Sequence, residues 1–100
     1  MTNHDRLPPI HPGEILREEF LTPLGMSANH LALALRVPAT RINDIVNEKR
    51  GITADTALRL SRYFGTTARF WMNMQASWEL EVAEDQMGNT LQREVLPRIA

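Results

Sequence analysis

Pro38 separates two apolar stripes that a single helix cannot contain. Proline lacks the N–H that a helix interior needs, and it pushes the preceding residue, Val37, toward extended angles. Leu31 and Leu35, at i, i+4 spacing, therefore fall on one helix, and Ile42, Ile45 and Val46 on the next, with the turn at Arg36 and Val37. Two short helices crossing steeply need a small residue at their close approach and apolar residues turned to the core. Ala32 supplies the first; Leu31, Leu35, Val37, Ile42 and Ile45 supply the second. Ala28 to Asn47 thus reads as a helix-turn-helix. Its turn usually takes glycine, which reaches positive φ cheaply, and Arg36 at that place predicts a cost of about 1 to 2 kcal/mol.

The remaining segments are helical by the same reasoning. Pro12 and Glu14 suit a helix start, Ile15, Leu16 and Phe20 follow, and Thr22, Pro23 and Gly25 end a first helix near Leu21. Ser27 caps the second helix, and Pro38 opens the third, which runs to Asn47. Thr53 caps a fourth helix with an Ala57, Leu58, Ser61 and Phe64 stripe ending at Gly65, and Thr67 caps a fifth, about Ala68 to Glu84. After Gly88 and Asn89, the spacing of Leu91, Val95 and Ile99 around Pro97 predicts a short helix or an extended arm. Strand-like alternation is absent. The expected fold is all-α: a five-helix repressor-like domain over 12–85, preceded by an arm, 1–11, and followed by a short C-terminal tail, 86–100.

Composition narrows the function. With 43% hydrophobic and 23% charged residues over 100 positions, the chain is an ordinary one-domain globular protein. It has no cysteine, which removes disulfides and thiolate chemistry. Met1 to Ile10 has neither the apolar stretch of a signal peptide nor the length of a membrane span, so a cytoplasmic location is expected. The formal net charge is -1, unpromising for a nucleic-acid binder until its distribution is read. Arg36, Arg41, Lys49, Arg50, Arg59 and Arg62 outnumber Asp44, Glu48 and Asp55 in the middle of the chain, while both flanks are acidic. A basic centre between acidic ends predicts one face for an anion and another surface for a different partner.

In a helix-turn-helix, the first residues of the second helix meet base edges in the major groove. Here those are Ala39, Thr40, Arg41, Asn43 and Asp44. Arginine pairs with guanine, asparagine with adenine, and the methyl groups of Ala39 or Thr40 can touch thymine. Lys49 and Arg50 are expected on phosphates, as are Ser27 and Asn29 at the positive end of the preceding helix. The fifth helix carries Phe70, Met74 and Trp78 along one line and Met72, Ala76 and Leu80 along another, with Trp71 between. Two stripes suggest burial on two sides, one against the domain and one in a homodimer, with Phe70, Trp71, Met72, Met74 and Trp78 as interface candidates; a central core helix is the alternative. An enzyme would need converging catalytic groups, yet His4, His11 and His30 are scattered and suit exposed or cap-forming roles, so neither catalysis, metal nor cofactor is expected. A protein-interaction module that binds no DNA is the competing class.

The runs His11-Pro12-Gly13-Glu14-Ile15-Leu16, Ile42-Asn43 through Lys49-Arg50-Gly51-Ile52-Thr53, Ala57-Leu58-Arg59-Leu60 and Phe70-Trp71 resemble the HigA family of antitoxins, within the Xre/Cro-repressor-like group. The resemblance covers about Ile10 to Glu84. It implies a dimer that represses its own operon from a palindromic operator and neutralises a RelE-like, messenger-RNA-cleaving HigB toxin. A stand-alone Xre-type regulator without a toxin is the alternative within the group. Three positions depart from the pattern: Arg36 for the turn glycine, Glu48 for a glycine before Lys49, and Ala28 for a phosphate-binding glutamine.

Overall fold

The computed structural model describes residues 7–99, so His4 lies outside the described residues. Every regular element among them is helical. Helix α1 begins as an α turn at Pro12–Ile15, widens into a π segment over Leu16–Leu21, and closes with a second α turn at Thr22–Leu24. It outlasts the expected end at Leu21. The Thr22 N–H reaches back five residues to the Arg17 carbonyl, and this wider spacing immediately precedes Pro23, which has no N–H to give. Gly25, at φ 61°, then ends the helix.

Helices α2, Ala28–Leu35, and α3, Ala39–Val46, form the helix-turn-helix; α4, Ala54–Phe64, and α5, Ala68–Met87, complete the domain. The tail adds α6, Thr90–Glu94, before becoming extended, so both forms weighed for it occur in succession. Ser27, Thr53 and Thr67 each accept a backbone N–H from three residues ahead, capping α2, α4 and α5.

The core is built from Leu16 and Leu21 of α1, Leu31, Ala32 and Leu35 of α2, Ile42, Ile45 and Val46 of α3, Ile52, Ala57, Leu60 and Trp71. Val37 packs against it half-buried. On α4 the expected stripe needs one correction: Leu58 is 61% exposed, and the inward line is Ala57, Leu60 and half-buried Phe64. Those three follow i, i+3, i+7 spacing, whereas Leu58 lies a further 100° around the helix.

On α5 the inward residues are Trp71 and Gln75. Trp71, a dimer candidate from its sequence position, is completely buried in this chain's own core and donates its indole N–H to Thr66 Oγ1 at 2.8 Å. It has no surface left for a partner. Gln75 Oε1 accepts the Ile52 N–H at 2.7 Å, tying the loop after α3 to α5. Both inward residues lie in the first half of a 20-residue helix about 30 Å long. The last turn of the helix and most of the tail are exposed, and the radius of gyration is 16.7 Å against about 13 Å for a compact chain of this length.

Candidate nucleic-acid interface

Helix α3 turns Ile42, Ile45 and Val46 inward, which leaves its other side for a ligand. Ala39 and Thr40 are exposed on its first turn, and Arg41, Asn43 and Asp44 are half-buried beside them. Two turns of the same kind bracket this helix. After α2, the Arg36 N–H bonds to Leu33 O and the Val37 N–H to Ala32 O; after α3, the Glu48 N–H bonds to Ile45 O and the Lys49 N–H to Asp44 O. These pairings are Schellman motifs, which put one residue in the left-handed region. Arg36 and Glu48 occupy it, each at φ 61°. Arg36, as expected from its place in the turn, and Glu48, at the other position where the resemblance leads to glycine, thus take the backbone angles for which glycine is suited.

Three side chains of α3 are held by neighbouring elements. Arg41 Nη1 donates to Asp55 Oδ2 of α4 at 2.6 Å. Asn43 Nδ2 donates to Asn29 Oδ1 of α2 at 2.8 Å and to the Ala39 carbonyl at 2.9 Å. Asp44 Oδ2 accepts from Arg50 Nη2 at 3.2 Å. The structure therefore joins candidates that the sequence left separate: Asn29 with Asn43, and Asp44 with Arg50. Ser27 Oγ accepts the His30 N–H at 3.0 Å. Lys49 and Arg50 are exposed in the loop that follows α3.

Two residues missed from the sequence belong to this neighbourhood. Asp55 accepts from Arg59 Nε at 3.0 Å as well as from Arg41, and these two arginines hold its carboxyl below the usual carboxylate range, the Arg41 hydrogen bond being the larger cause. Arg59 Nη1 also donates to the Leu35 carbonyl at 2.8 Å. The i, i+4 spacing of Asp55 and Arg59 was visible in the sequence, but nothing there placed Asp55 against Arg41.

Behind the interface, the His-Pro-Gly-Glu segment anchors α3. Gly13 lies so close to the Ile45 carbonyl that an added Cβ would overlap it. Arg17 donates to the Val46 carbonyl and pairs with Glu48 at 3.5 Å. His11, 2% exposed, takes the cap-forming role and accepts the Gly13 N–H on Nδ1 at 2.9 Å.

Phe70 and Met74 of α5 line an apolar groove of about 690 Å³ with Leu7, Pro8, Ile10 and Ile15. Met72 and Met74 are both half-buried against the core, and Trp78 packs on the His11 ring.

The helix-turn-helix family model matches residues 16–71. Virulence-associated protein I of Dichelobacter nodosus is 62% identical over 80% of this chain and 74% of its own. A solved structure of the Pseudomonas aeruginosa antitoxin HigA with the higBA promoter is 52% identical, covers 91% of this chain and 99% of its own, and superposes with a TM-score of 0.88. An addiction module antidote protein of a HigA family from Coxiella burnetii is 48% identical, with 92% and 100% coverage and a TM-score of 0.87.

Proposed function

Because the chain belongs to the helix-turn-helix family and, within it, to the HigA antitoxins, we propose that it is a sequence-specific DNA-binding repressor and the antitoxin of a type II toxin–antitoxin module. The observation that carries the reading is the placement of α3. Its apolar residues are consumed by the core, Ala39 and Thr40 are exposed on its first turn beside Arg41, and Lys49 and Arg50 are exposed in the loop after the helix. In this reading α3 enters the major groove, where Ala39, Thr40, Arg41, Asn43 and Asp44 meet base edges. Ser27, Asn29, Lys49 and Arg50 meet the phosphates and set the register. The Asn43–Asn29 bond supports that division, since it couples a base-edge residue to one at the phosphate-facing end of α2.

The partners are double-stranded operator DNA, a second copy of the chain, and a HigB/RelE-like toxin. The apolar groove at Phe70 and Met74 is the dimer surface in this reading, with Met72 and Trp78 elsewhere on the same helix and Trp71 removed because it is buried in this chain's own core. The arm, 1–11, and the tail, 86–100, are the toxin-facing candidates. The protein performs no chemistry of its own and acts in the cytoplasm on its operator; none of the described helices is long and apolar enough to cross a membrane.

Footprinting on the chain's own promoter tests the DNA reading. A symmetric dimer places its recognition helices about 34 Å apart, so two protected half-sites should lie one helical turn apart. A single asymmetric half-site would overturn the dimeric version. The antitoxin role is tested by co-expressing the neighbouring open reading frame and assaying messenger-RNA cleavage with and without this chain. Cleavage that persists with the chain in excess would refute it.

A further inference from the structure

Asp55 is a carboxylate placed beside the arginine assigned to base reading, where a negative charge opposes approach to phosphates. Its ion pairs are poor candidates for stabilising the fold, because its side chain is 54% exposed and that of Arg59 41% exposed. The connectivity suggests a different task. Leu35 O accepts from Arg59, Arg59 donates to Asp55, and Asp55 accepts from Arg41, so a continuous chain of hydrogen bonds runs from the end of α2, through α4, to the first half of α3. An unpaired arginine on an exposed helix turn samples many rotamers, whereas reading guanine requires its planar fork to present two parallel N–H groups. Asp55 engages Nη1 alone in its bond to Arg41, and a guanidinium has further N–H donors to offer.

From this geometry we infer that Asp55 is a specificity-determining positioning residue: it fixes the Arg41 guanidinium before DNA arrives, so that discrimination at one base pair is gained at the expense of general affinity. The inference rests on the reading of Arg41 as a base contact. It separates two quantities that usually move together. Removing Asp55 should tighten binding to random DNA, through loss of a negative charge, and loosen discrimination at the base pair under Arg41 by about two- to tenfold, the penalty of ordering a free side chain on binding.

The test uses the full chain and an operator panel substituted at each base pair. Arg41→Ala first identifies the pair that Arg41 reads. Asp55→Ala is then measured on the same panel and on random DNA, with Asp55→Asn as a second variant that keeps an acceptor oxygen and with circular dichroism to verify folding. The expected result is lost discrimination at the Arg41 pair alone, tighter random binding, partial recovery of discrimination in Asp55→Asn, and no further loss when Asp55→Ala is added to Arg41→Ala. Unchanged discrimination at that pair, or equal loss at every pair, overturns the role of Asp55 while leaving Arg41 as the reader. If Arg41→Ala itself relaxes no pair, the base-contact reading fails and the inference falls with it.

Discussion

The imidazole of His11 stands edge-on to the indole of Trp78, with ring centroids 4.7 Å apart and planes inclined at 70°. This contact joins the His-Pro-Gly-Glu segment to α5, and it shields a histidine whose Nδ1 already accepts the Gly13 N–H. Burial pulls the His11 pKa below its usual 6.5, against a weaker opposing pull from Glu48. The unfolded chain therefore binds a proton at a pH where the folded chain does not. The contribution of neutral His11 to stability is fully present above pH 6.5 and is lost as pH falls from there through the depressed folded value. Denaturation midpoints measured across that window should drop toward acid, and His11→Asn should flatten the slope. An NMR titration placing His11 at or above 6.5 would refute the account.

Gly13→Ala tests the anchor behind the interface. The new methyl would meet the Ile45 carbonyl oxygen, a backbone atom of α3 that cannot rotate away. Overpacking of this kind costs about 1 to 3 kcal/mol, and rigid backbone puts this case at the upper end. Thermal melting should fall by about 12 to 24 °C for a domain of this size, and a variant melting within about 2 °C of the parent would show that α1 and α3 can slide apart cheaply.

The helix-turn-helix was legible because its determinants are local: Pro38, the Leu31–Leu35 stripe and the caps Ser27, Thr53 and Thr67 each act over a few residues. Arg36 was legible in the same way, since its strain follows from its place in the turn. What escaped were contacts between residues distant in sequence. Trp71 lies between two apolar lines on α5, and only the orientation of α5 against α1 decides that it is core. Gln75 is polar and yet 6% exposed, because the N–H it satisfies belongs to Ile52. The Asp55–Arg41 pair spans 14 positions and two helices, and no period reports such a bond. The extra turn of α1 required a π segment that propensities do not encode.

Arg36→Gly should stabilise the protein. The left-handed backbone at φ 61° costs a side-chain-bearing residue about 1 to 2 kcal/mol, while glycine gives back about 0.4 to 1 kcal/mol through greater freedom in the unfolded chain. A net gain of roughly 0.5 to 1 kcal/mol corresponds to a melting point a few degrees higher. A lower melting point would show that the Arg36 side chain makes a contribution larger than the backbone strain it carries.

Lys49→Ala and Arg41→Ala should differ in kind. Lys49 is exposed in the loop after α3 and reads as a phosphate contact, so its loss should weaken operator and random DNA alike and reduce the salt slope by about one. In the proposed reading Arg41 meets a base edge, so its loss should cost about 1 to 3 kcal/mol on the operator and relax preference at one position. Uniform weakening by both variants would move Arg41 to the backbone class.

Met74→Glu should separate the proposed dimer. Met74 lines the groove with Phe70, Ile10 and Ile15, and in a monomer that groove is open to water, where a glutamate at its wall stays hydrated. In a dimer that buries the groove the same carboxylate would lose its water, which is far costlier than placing it on a free surface. Met72 and Met74 both pack half-buried on the core, but Met72 does not line the groove, so Met72→Glu should lower the melting point and leave association at a given folded concentration unchanged. Sedimentation reports mass and far-UV circular dichroism reports folding for each variant. A Met74→Glu protein that is folded and still dimeric would exclude the groove and direct attention to the tail, where Leu91, Val95, Leu96 and Ile99 are 50, 61, 77 and 93% exposed. A Met74→Glu protein that unfolds would instead make this stripe of α5 part of the core, and the exposed last turn of the helix would then be the remaining surface for a second copy.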